Sequence, residues 1–230
     1  MKMNWKTSVF LAAAFVLSAF HTRAQDGTGQ TNDVLTLKQL MAAGNVVTNT
    51  VGVVLVKISP GLWAGQFETT QGAYQKTMQS NPSAFKGATR PVDSVSWNNA
   101  MAFCAKLTAK EQAAKELPAG YSYTLPTQAQ WTMLMDSASL KDAVMKLNNG
   151  SSSTAPVGSL GANSLGLYDT RGNVMEWCLD SNNDSNRVLK GGAWDTWLDI
   201  NARPDFNWYA GPDEAKNSFG FRVILSGPAQ

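Results

Sequence analysis

Few side chains in this 230-residue sequence could carry out the acid–base or nucleophilic chemistry that most enzymes use. The single histidine, His21, lies in an N-terminal stretch with the pattern of a secretory signal peptide, so we expect the mature chain to contain no histidine. That excludes Ser-His-Asp and Cys-His catalysis, and it excludes zinc or iron sites with histidine ligands. Carboxylates, lysine, tyrosine and metals bound through oxygen remain.

The two cysteines, Cys104 and Cys178, do not belong to a Cys-x-x-Cys motif. In an oxidising compartment they could form one disulfide, and two buried, unpaired thiols agree with the sequence at least as well. Both alternatives stay open at this point. A catalytic thiol is not expected, because neither cysteine has the surroundings that favour a thiolate.

Three other patterns have both a functional and a structural interpretation. Ser83 and Lys86 fit the Ser-x-x-Lys motif of penicillin-binding enzymes, but its companion motifs are absent and chance explains the match better. The acids within residues 195–214 could include a hydrolytic carboxylate pair, although solvated loop acids are far commoner. Four aromatic side chains could form a surface for a sugar or a protein, and packing in the core is the alternative: Trp194, Trp197, Trp208 and Tyr209. We expect Trp194 in the core and Trp197 and Trp208 at the surface.

The first 24 residues predict a signal peptide, with Lys2 and Lys6 before an apolar core at residues 9–20. The polar residues that follow would form a flexible leader. Loss of Lys2, Lys6 and Arg23 leaves 16 basic residues against 17 acidic ones, so a nucleic-acid partner is not expected. No later segment is long and apolar enough to span a membrane, which predicts a periplasmic or secreted protein.

Capping residues and apolar spacing predict the elements that hold these side chains. Ser96 is the expected N-cap of one helix, and Thr127 with Gln130 forms a capping box for another. Seven tryptophans outside the signal peptide and abundant glycine predict an aromatic, turn-rich domain without long helices. Shorter helices are predicted at 36–43 and 139–147, and strands at 46–58 and 62–69.

Eight short motifs follow one another in a fixed order along the chain. They are Phe67-Glu68-Thr69-Thr70 with Tyr74; Asn81-Pro82 with Phe85-Lys86-Gly87; Arg90-Pro91-Val92 with Val95-Ser96-Trp97; Leu125-Pro126-Thr127 with Trp131; Gly166-Leu167-Tyr168-Asp169; Gly172-Asn173-Val174-Met175-Glu176-Trp177; Gly191-Gly192-Ala193-Trp194; and Gly220-Phe221-Arg222. In this order they resemble the formylglycine-generating enzyme, or sulfatase-modifying factor, family over residues 53–224. The resemblance implies an α+β fold, the C-type-lectin-like variant of that family, with small mixed sheets, short helices and much irregular loop. The family domain would occupy residues 46–226, after a leader and a short helix at 25–45.

The resemblance also implies which chemistry is missing. Formylglycine-generating members of the family oxidise a sulfatase cysteine with copper bound by two cysteines, and the matching positions here are Thr196 and Asn201. Neither side chain supplies the soft thiolate that Cu(I) needs. Cys104 matches a position that is disulfide-bonded in some members, but the partner position is Val223. Copper-dependent oxidation is therefore not expected.

One calcium ion is a further implication of the resemblance. Its ligands would be the carboxylates of Asp169 and Glu176 and the backbone carbonyls of Gly172 and Val174. Calcium takes oxygen ligands only, and this loop supplies them. In the alternative interpretation, the two acids make structural hydrogen bonds around a tight loop.

The motifs of the scaffold are present while the redox residues are absent, which predicts a non-catalytic binding or scaffold module in the cell envelope or outside the cell. We expect its binding face within residues 195–216, and its partner to be an envelope or extracellular protein or a glycan. The competing hypothesis is an enzyme that uses non-copper chemistry on an exported peptide or small molecule. The candidate residues of the binding face are Asp195, Trp197, Asp199, Asn201, Arg203, Trp208 and Tyr209.

Overall fold

A computed structural model describes residues 35–182 and 185–228. The predicted signal peptide and leader lie outside the described residues. The described chain is a mixture of short helices and small sheets, as the resemblance implied. Its helices are α1 Leu37–Ala43, α2 Gln71–Met78, α3 Trp97–Ala113, α4 Gln128–Met135 and α5 Lys146–Asn149. Its strands are β1 Val46–Thr48, β2 Val54–Ser59, β3 Leu62–Gly65, β4 Ser122–Thr124, β5 Met175–Ser181, β6 Arg187–Lys190, β7 Trp208–Ala210, β8 Phe219–Gly220 and β9 Ile224–Ser226.

The strands form two sheets that combine segments from distant parts of the chain. The first has the order β1-β2-β3-β9-β4 with antiparallel neighbours, so that Ile224 pairs with both Ala64 and Thr124. The second has the order β7-β6-β5-β8, in which only β5 and β8 are parallel. Strand β5 is thus an inner strand, and it carries Glu176 into the interior.

The predicted helix starts at Ser96 and Thr127 are confirmed. The Ser96 hydroxyl accepts the Asn99 N–H, and Thr127 and Gln130 make the reciprocal pair of bonds of a capping box. These side chains satisfy backbone N–H groups that a helix leaves unpaired in its first turn. Helix α3 runs for 17 residues, so the expectation that long helices would be absent was wrong.

The predicted helix at 139–147 is also wrong in its middle. A 3₁₀ turn at Leu140–Asp142 is followed by extended backbone, and α5 begins only at Lys146. Val144 forms an isolated parallel bridge with Gly172, and its carbonyl accepts the Asn173 N–H at 2.8 Å. Because Val144 gives its backbone groups to another segment, it cannot continue the helix.

Aromatic side chains fill the main core, as the composition predicted. Tyr74 stacks on Phe103 with ring centroids 5.6 Å apart, and Phe221 meets the Phe103 ring edge-on at 5.3 Å. Trp177 is fully buried, and its indole N–H donates to the Val95 carbonyl at 2.8 Å. Helix α1 joins this same apolar cluster through buried side chains of its inner face.

The structure resolves the two alternatives for the cysteines, because Cys104 and Cys178 are both free and both buried. Cys104 lies on the inner face of α3 in the main core, and Cys178 packs beside Trp131 and Val188 in a separate cluster. Burial raises the pKa of the Cys104 thiol to about 12 and raises the pKa of Cys178 well above its ordinary value. Neither side chain is a reactive thiolate at neutral pH.

Candidate functional site

A buried ion pair joins the two sheets at the centre of the predicted site. The Arg222 guanidinium donates to the Glu176 carboxylate from Nη2 at 2.7 Å and from Nε at 3.0 Å. The second oxygen of Glu176 accepts the Trp131 indole N–H at 2.8 Å. Arg222 also donates to the carbonyls of Gly65 and Tyr168, so its charge is surrounded by acceptors. A buried pair needs such additional bonds to offset the cost of removing two charges from water.

A third acid, Glu68, completes this interior network. Its carboxylate accepts the Asn173 amide at 2.6 Å and the Val174 backbone N–H at 2.9 Å. Desolvation raises the pKa of Glu68 well above its ordinary value, and the charges of Asp169 and Glu176 raise it further. Glu68 belongs to one of the sequence motifs, but its partner Asn173 lies 105 residues away along the chain, so local spacing does not reveal its role.

Two of the four predicted calcium ligands, Glu176 and Asp169, lie near Glu68 in this region, and both carboxylates accept hydrogen bonds from protein groups. Both oxygens of Glu176 already hold Arg222 and Trp131, and Asp169 accepts the Gly158 N–H at 2.6 Å. Burial raises the pKa of the Asp169 carboxyl to about 6. Among the described residues, no group of three or more His, Cys, Asp or Glu is arranged to hold a metal ion. Carboxylate and carbonyl oxygens are the ligands that calcium prefers. Both carboxylate oxygens of Glu176, however, already accept hydrogen bonds from Arg222 or Trp131.

Positive backbone φ angles shape the tight loop that contains the calcium candidates Asp169 and Gly172. Gly172 has φ +80°, and a Cβ there would lie 2.6 Å from the Val144 carbonyl oxygen, so only glycine fits. Asp169 and Asn173 also adopt left-handed conformations, which short polar side chains tolerate best. The loop therefore positions Asn173 between Glu68 and the backbone of Ala155.

The two positions that match the copper cysteines have structural roles. The Thr196 hydroxyl is buried and accepts the Ala193 N–H at 2.8 Å, which closes the turn after Gly192. Asn201 is half-buried within the 3₁₀ turn Asp199–Ala202. A Cβ at Gly192 would lie 3.2 Å from the Thr196 hydroxyl oxygen, so the segment is closely packed here. Thr196 thus stabilises the turn that begins the predicted binding face.

Large apolar side chains are concentrated on the surface of residues 197–209. The exposed fractions are 62% for Trp197, 60% for Leu198, 46% for Ile200, 40% for Trp208 and 41% for Tyr209. We call these five residues the aromatic face. Exposed apolar side chains that cluster on a surface commonly mark interaction sites, and these five lie within one short segment of the chain. The predicted exposure of Trp197 and Trp208 is confirmed.

The other predicted binding residues surround the aromatic face or support it. Asp199 and Arg203 are exposed and form an ion pair at 3.2 Å, and Asp195 is half-buried. The Lys146 ammonium lies 4.5 Å from the centre of the Trp197 ring. Such a contact over a tryptophan is a favourable cation–π interaction.

A buried lysine anchors the middle of this segment to the second sheet. The Lys190 ammonium donates to the carbonyls of Pro204 and Phe206 at 2.5 and 3.0 Å and to the Asn207 side chain at 2.8 Å. Strand β7 then pairs with β6, which places Trp208 opposite Leu189. Sequence reasoning missed Lys190, because its acceptors are mostly backbone carbonyls that no residue type identifies.

Trp194, which was expected in the core, is half-buried at the edge of it. Its indole N–H donates to the Asn217 carbonyl at 3.0 Å, and Phe85 meets its ring edge-on at 5.1 Å. Contacts of Trp194 and Asn217 hold the two ends of segment 195–216, and Lys190 holds the backbone of its middle.

The sequence model of the sulfatase-modifying factor enzyme 1-like domain matches residues 34–226. Relatives include a chaperone protein, LppX, of Paenibacillus barcinonensis, 27% identical over 57% of this chain and 69% of that protein. Another is the inactive C-alpha-formylglycine-generating enzyme 2 of Mus musculus, 32% identical over 59% of this chain. The alignment with the mouse protein spans about half of that protein's length, 49%.

Solved structures show the same fold. Variable protein 1 of Treponema denticola superposes with a TM-score of 0.64 at 25% identity, covering 80% of this chain and 92% of that one. PvdO of Pseudomonas aeruginosa superposes with a TM-score of 0.64 at 18% identity, covering 80% and 98%. With the family model covering most of its length, this chain belongs to the sulfatase-modifying factor, or formylglycine-generating enzyme-like, domain family.

Proposed function

We propose that this protein is a non-catalytic member of its family that binds a protein partner on the aromatic face. The observation that carries the proposal is the exposure of five large apolar side chains on one segment whose ends are fixed by buried contacts. Bound partners commonly cover such patches, and tryptophan and tyrosine contribute the most to interface affinity.

The chemistry of the site supports a non-catalytic role. Copper oxidation needs two accessible thiolates, whereas Thr196 and Asn201 stand at the matching positions and both cysteines are buried in apolar clusters. The names of two relatives point the same way, since one is described as a chaperone and another as inactive.

The architecture explains how a fixed scaffold can present a variable surface. Gly191 has φ +96° and lies against the Trp131 ring, and Arg222 anchors the other end through Glu176. Side chains between these anchors can change without moving the sheets, because the segment has few buried side chains of its own.

Export is part of the proposal. The N-terminal pattern predicts cleavage after residue 24, and no helix within the described ranges is long and apolar enough to cross a membrane. A mature chain that begins at Gln25, recovered from the periplasm or the medium and identified by its intact mass, would support export. Full-length protein retained in the cytoplasm would contradict it.

The binding proposal can be tested with the secreted and envelope proteins of the source cells. The mature protein is crosslinked to its partner, the partner is identified and purified, and the Kd is measured by calorimetry. We expect the double substitution Trp197→Ser and Trp208→Ser to weaken binding about tenfold or more, because buried aromatic anchors commonly contribute about 2 kcal/mol or more.

Met133→Ser is the matched control, since Met133 is 46% exposed on α4, outside the aromatic face. The control should bind as the wild type does, and all variants should keep the wild-type Tm. Equal affinity of the double variant and the wild type would reject the aromatic face. Oxygen consumption with a cysteine-containing peptide would reject the non-catalytic assignment.

A further inference from the structure

Asn149 is the one asparagine of this chain that is followed by glycine. Asn149 and Gly150 are both exposed at the end of α5, a helix of four residues. The carbon of an asparagine amide is an electrophile, and the backbone nitrogen of the next residue can attack it when no side chain on that residue hinders the approach. A Cβ at Gly150 would meet nothing within 4 Å, so the space around this nitrogen is open as well.

The hydroxyl of Ser151 polarises the Asn149 amide. It donates to the Oδ1 atom of Asn149 at 2.8 Å. Attack at the amide carbon places negative charge on this same oxygen, and a donor that is already in position stabilises the charge as it develops. The described conformation therefore prepares the amide for attack.

Only one turn of helix has to open before the two groups can react. The Gly150 N–H donates to the Lys146 carbonyl at 3.2 Å, and the Asn149 N–H donates to the Met145 carbonyl at 3.1 Å. Both distances are at the long end of the range for such bonds, and a helix of a single turn is marginally stable. Opening of this turn frees the Gly150 nitrogen, and rotation about the Cα–C bond of Asn149 then brings that nitrogen to the side-chain carbon.

Two other asparagines precede a serine, and their surroundings hinder the same reaction. The Asn163 amide donates to two backbone carbonyls of α4 and accepts two backbone N–H groups, so its orientation is fixed. Asn217 is exposed, but Ser218 is buried and its carbonyl accepts the Met175 N–H at 2.8 Å. These two residues are internal references for Asn149.

We propose that Asn149 is a site of spontaneous deamidation, which adds a carboxylate beside the aromatic face. Base removes the Gly150 amide proton, and the nitrogen bonds to Cγ of Asn149 while the Cγ–Nδ2 bond breaks and ammonia leaves. Water then opens the five-membered imide at Cγ, which gives aspartate, or at the backbone carbon, which gives isoaspartate. The net reaction consumes one water and releases one ammonia, so it needs no oxidant or cofactor. It also needs no bound partner and is independent of the proposed function.

The new carboxylate would act on the aromatic face through α5. Lys146 lies three residues before Asn149, and its ammonium is 4.5 Å from the centre of the Trp197 ring. A carboxylate at this spacing attracts the ammonium, and a negative charge at the C-terminus of a helix destabilises the turn. The Leu147 N–H, which donates to the Thr196 carbonyl at 3.0 Å, belongs to the same turn. Deamidation should therefore weaken the contacts that join α5 to Trp197.

The first experiment measures the reaction directly. The mature protein is incubated at mildly alkaline pH and digested at acidic pH, and mass spectrometry distinguishes asparagine, aspartate and isoaspartate at each position. A synthetic peptide of residues 145–153 gives the rate without the fold. We expect both products to accumulate at Asn149 while Asn163 and Asn217 keep their amides. An intact Asn149, after the peptide has reacted completely, would overturn the proposal.

Ser151→Ala tests the polarisation of the amide. Loss of the hydroxyl should slow the reaction about threefold or more, the effect of one hydrogen bond of ordinary strength at the reacting oxygen. Ser152→Ala changes an exposed neighbour of the same type and should keep the wild-type rate. Equal rates in the two serine variants would contradict the role of Ser151.

The second experiment tests the effect on the aromatic face. Asn149→Asp carries the charge of one product from the start, whereas Asn149→Gln keeps an amide. We expect the indole N–H resonance of Trp197 in the NMR spectrum to shift in Asn149→Asp toward its position in Lys146→Met, and to stay in place in Asn149→Gln. A resonance that Asn149→Asp leaves unchanged would reject the link between α5 and the aromatic face.

Discussion

Charged side chains in the interior are stable only because the groups around them offset the cost of removing each charge from water. Glu176 and Arg222 are both inaccessible to water, and each depends on the other for compensation. The Glu68 carboxylate lies beside this pair and accepts hydrogen bonds from the Asn173 side chain and the Val174 backbone N–H. The network fixes the orientation of side chains from three separate motifs, so the motifs are linked physically as well as by their order.

Breaking the ion pair from one side should be more costly than removing it altogether. Glu176→Gln leaves Arg222 as an uncompensated buried charge, and we expect it to lower the free energy of unfolding by about 3–5 kcal/mol. The double substitution Glu176→Gln and Arg222→Met should recover part of that loss. Urea denaturation of the wild type, Glu176→Gln, Arg222→Met and the double variant measures the coupling free energy between the two side chains. A loss below about 1 kcal/mol in the single variant would show that the pair is not the buried ion pair described here.

Another buried acid, Glu111 on α3, predicts a pH dependence. It accepts the Tyr123 hydroxyl at 2.7 Å and the Thr50 backbone N–H at 3.1 Å. Desolvation raises the pKa of Glu111 above 4.5 despite these donors, and the nearby Glu116 raises it further. The folded state therefore holds the proton more tightly than the unfolded state. Its contribution to stability is complete below pH 4.5 and is lost as the pH rises through the folded-state pKa.

Glu111→Gln removes this titration while keeping a similar shape. We expect the free energy of unfolding of the variant, relative to the wild type, to increase as the pH is raised from 4 to 8. Guanidinium denaturation at a series of pH values measures the difference. A relative stability that falls with rising pH would show that the carboxylate form is favoured in the folded state.

At the scale of elements, capping decides where the helices begin and so where their side chains point. Helix α4 begins after the capping box formed by Thr127 and Gln130. Trp131 is the fourth residue of this helix, and its indole N–H donates to the Glu176 carboxylate. The N-terminus of the same helix is also held by the bond from the Gln128 N–H to the Asp180 carboxylate at 2.6 Å. A helix start that can be recognised from the sequence thus positions a donor of the buried network.

Loss of this cap should lower the stability of the whole domain. We expect Thr127→Ala to reduce the free energy of unfolding by about 1 kcal/mol, because the Gln130 N–H then loses its acceptor. Thr127→Ser keeps a hydroxyl and should stay close to the wild type. Thermal unfolding of the three proteins at one pH provides the comparison, and equal Tm values for the alanine and serine variants would argue against the capping role.

At the scale of the whole molecule, two small sheets and the helices packed on the main core support the exposed segment 195–216. That architecture leaves residues 195–216 free to differ in their exposed side chains while Lys190 fixes the backbone beneath. It also places the predicted calcium ligands at the loop where Arg222 already compensates Glu176.

Chelation tests the calcium prediction at this scale. In the described arrangement Glu176 remains bound to Arg222, so we expect EDTA to leave the Tm of the mature protein unchanged relative to millimolar calcium. An ion bound only to the folded state at 100 times its Kd would contribute about 2.7 kcal/mol and raise the Tm by several degrees. Such a rise, absent in Asp169→Asn, would establish the calcium site instead.

The sequence by itself determined the features that depend on near neighbours along the chain. The caps at Ser96 and Thr127, the amphipathic α3 and the exposure of Trp197 and Trp208 all follow from short-range patterns. The ordered motifs also indicated the family and its fold.

Only the tertiary structure decided which distant groups meet. Arg222 contacts Glu176 across 46 residues and Asn173 contacts Glu68 across 105, and no spacing rule predicts such partners. The same holds for Val144, which leaves its predicted helix to bond Asn173, and for the two cysteines, which lie in different apolar clusters. These outcomes depend on burial, since removal from water forces each polar group to find a partner wherever the fold provides one.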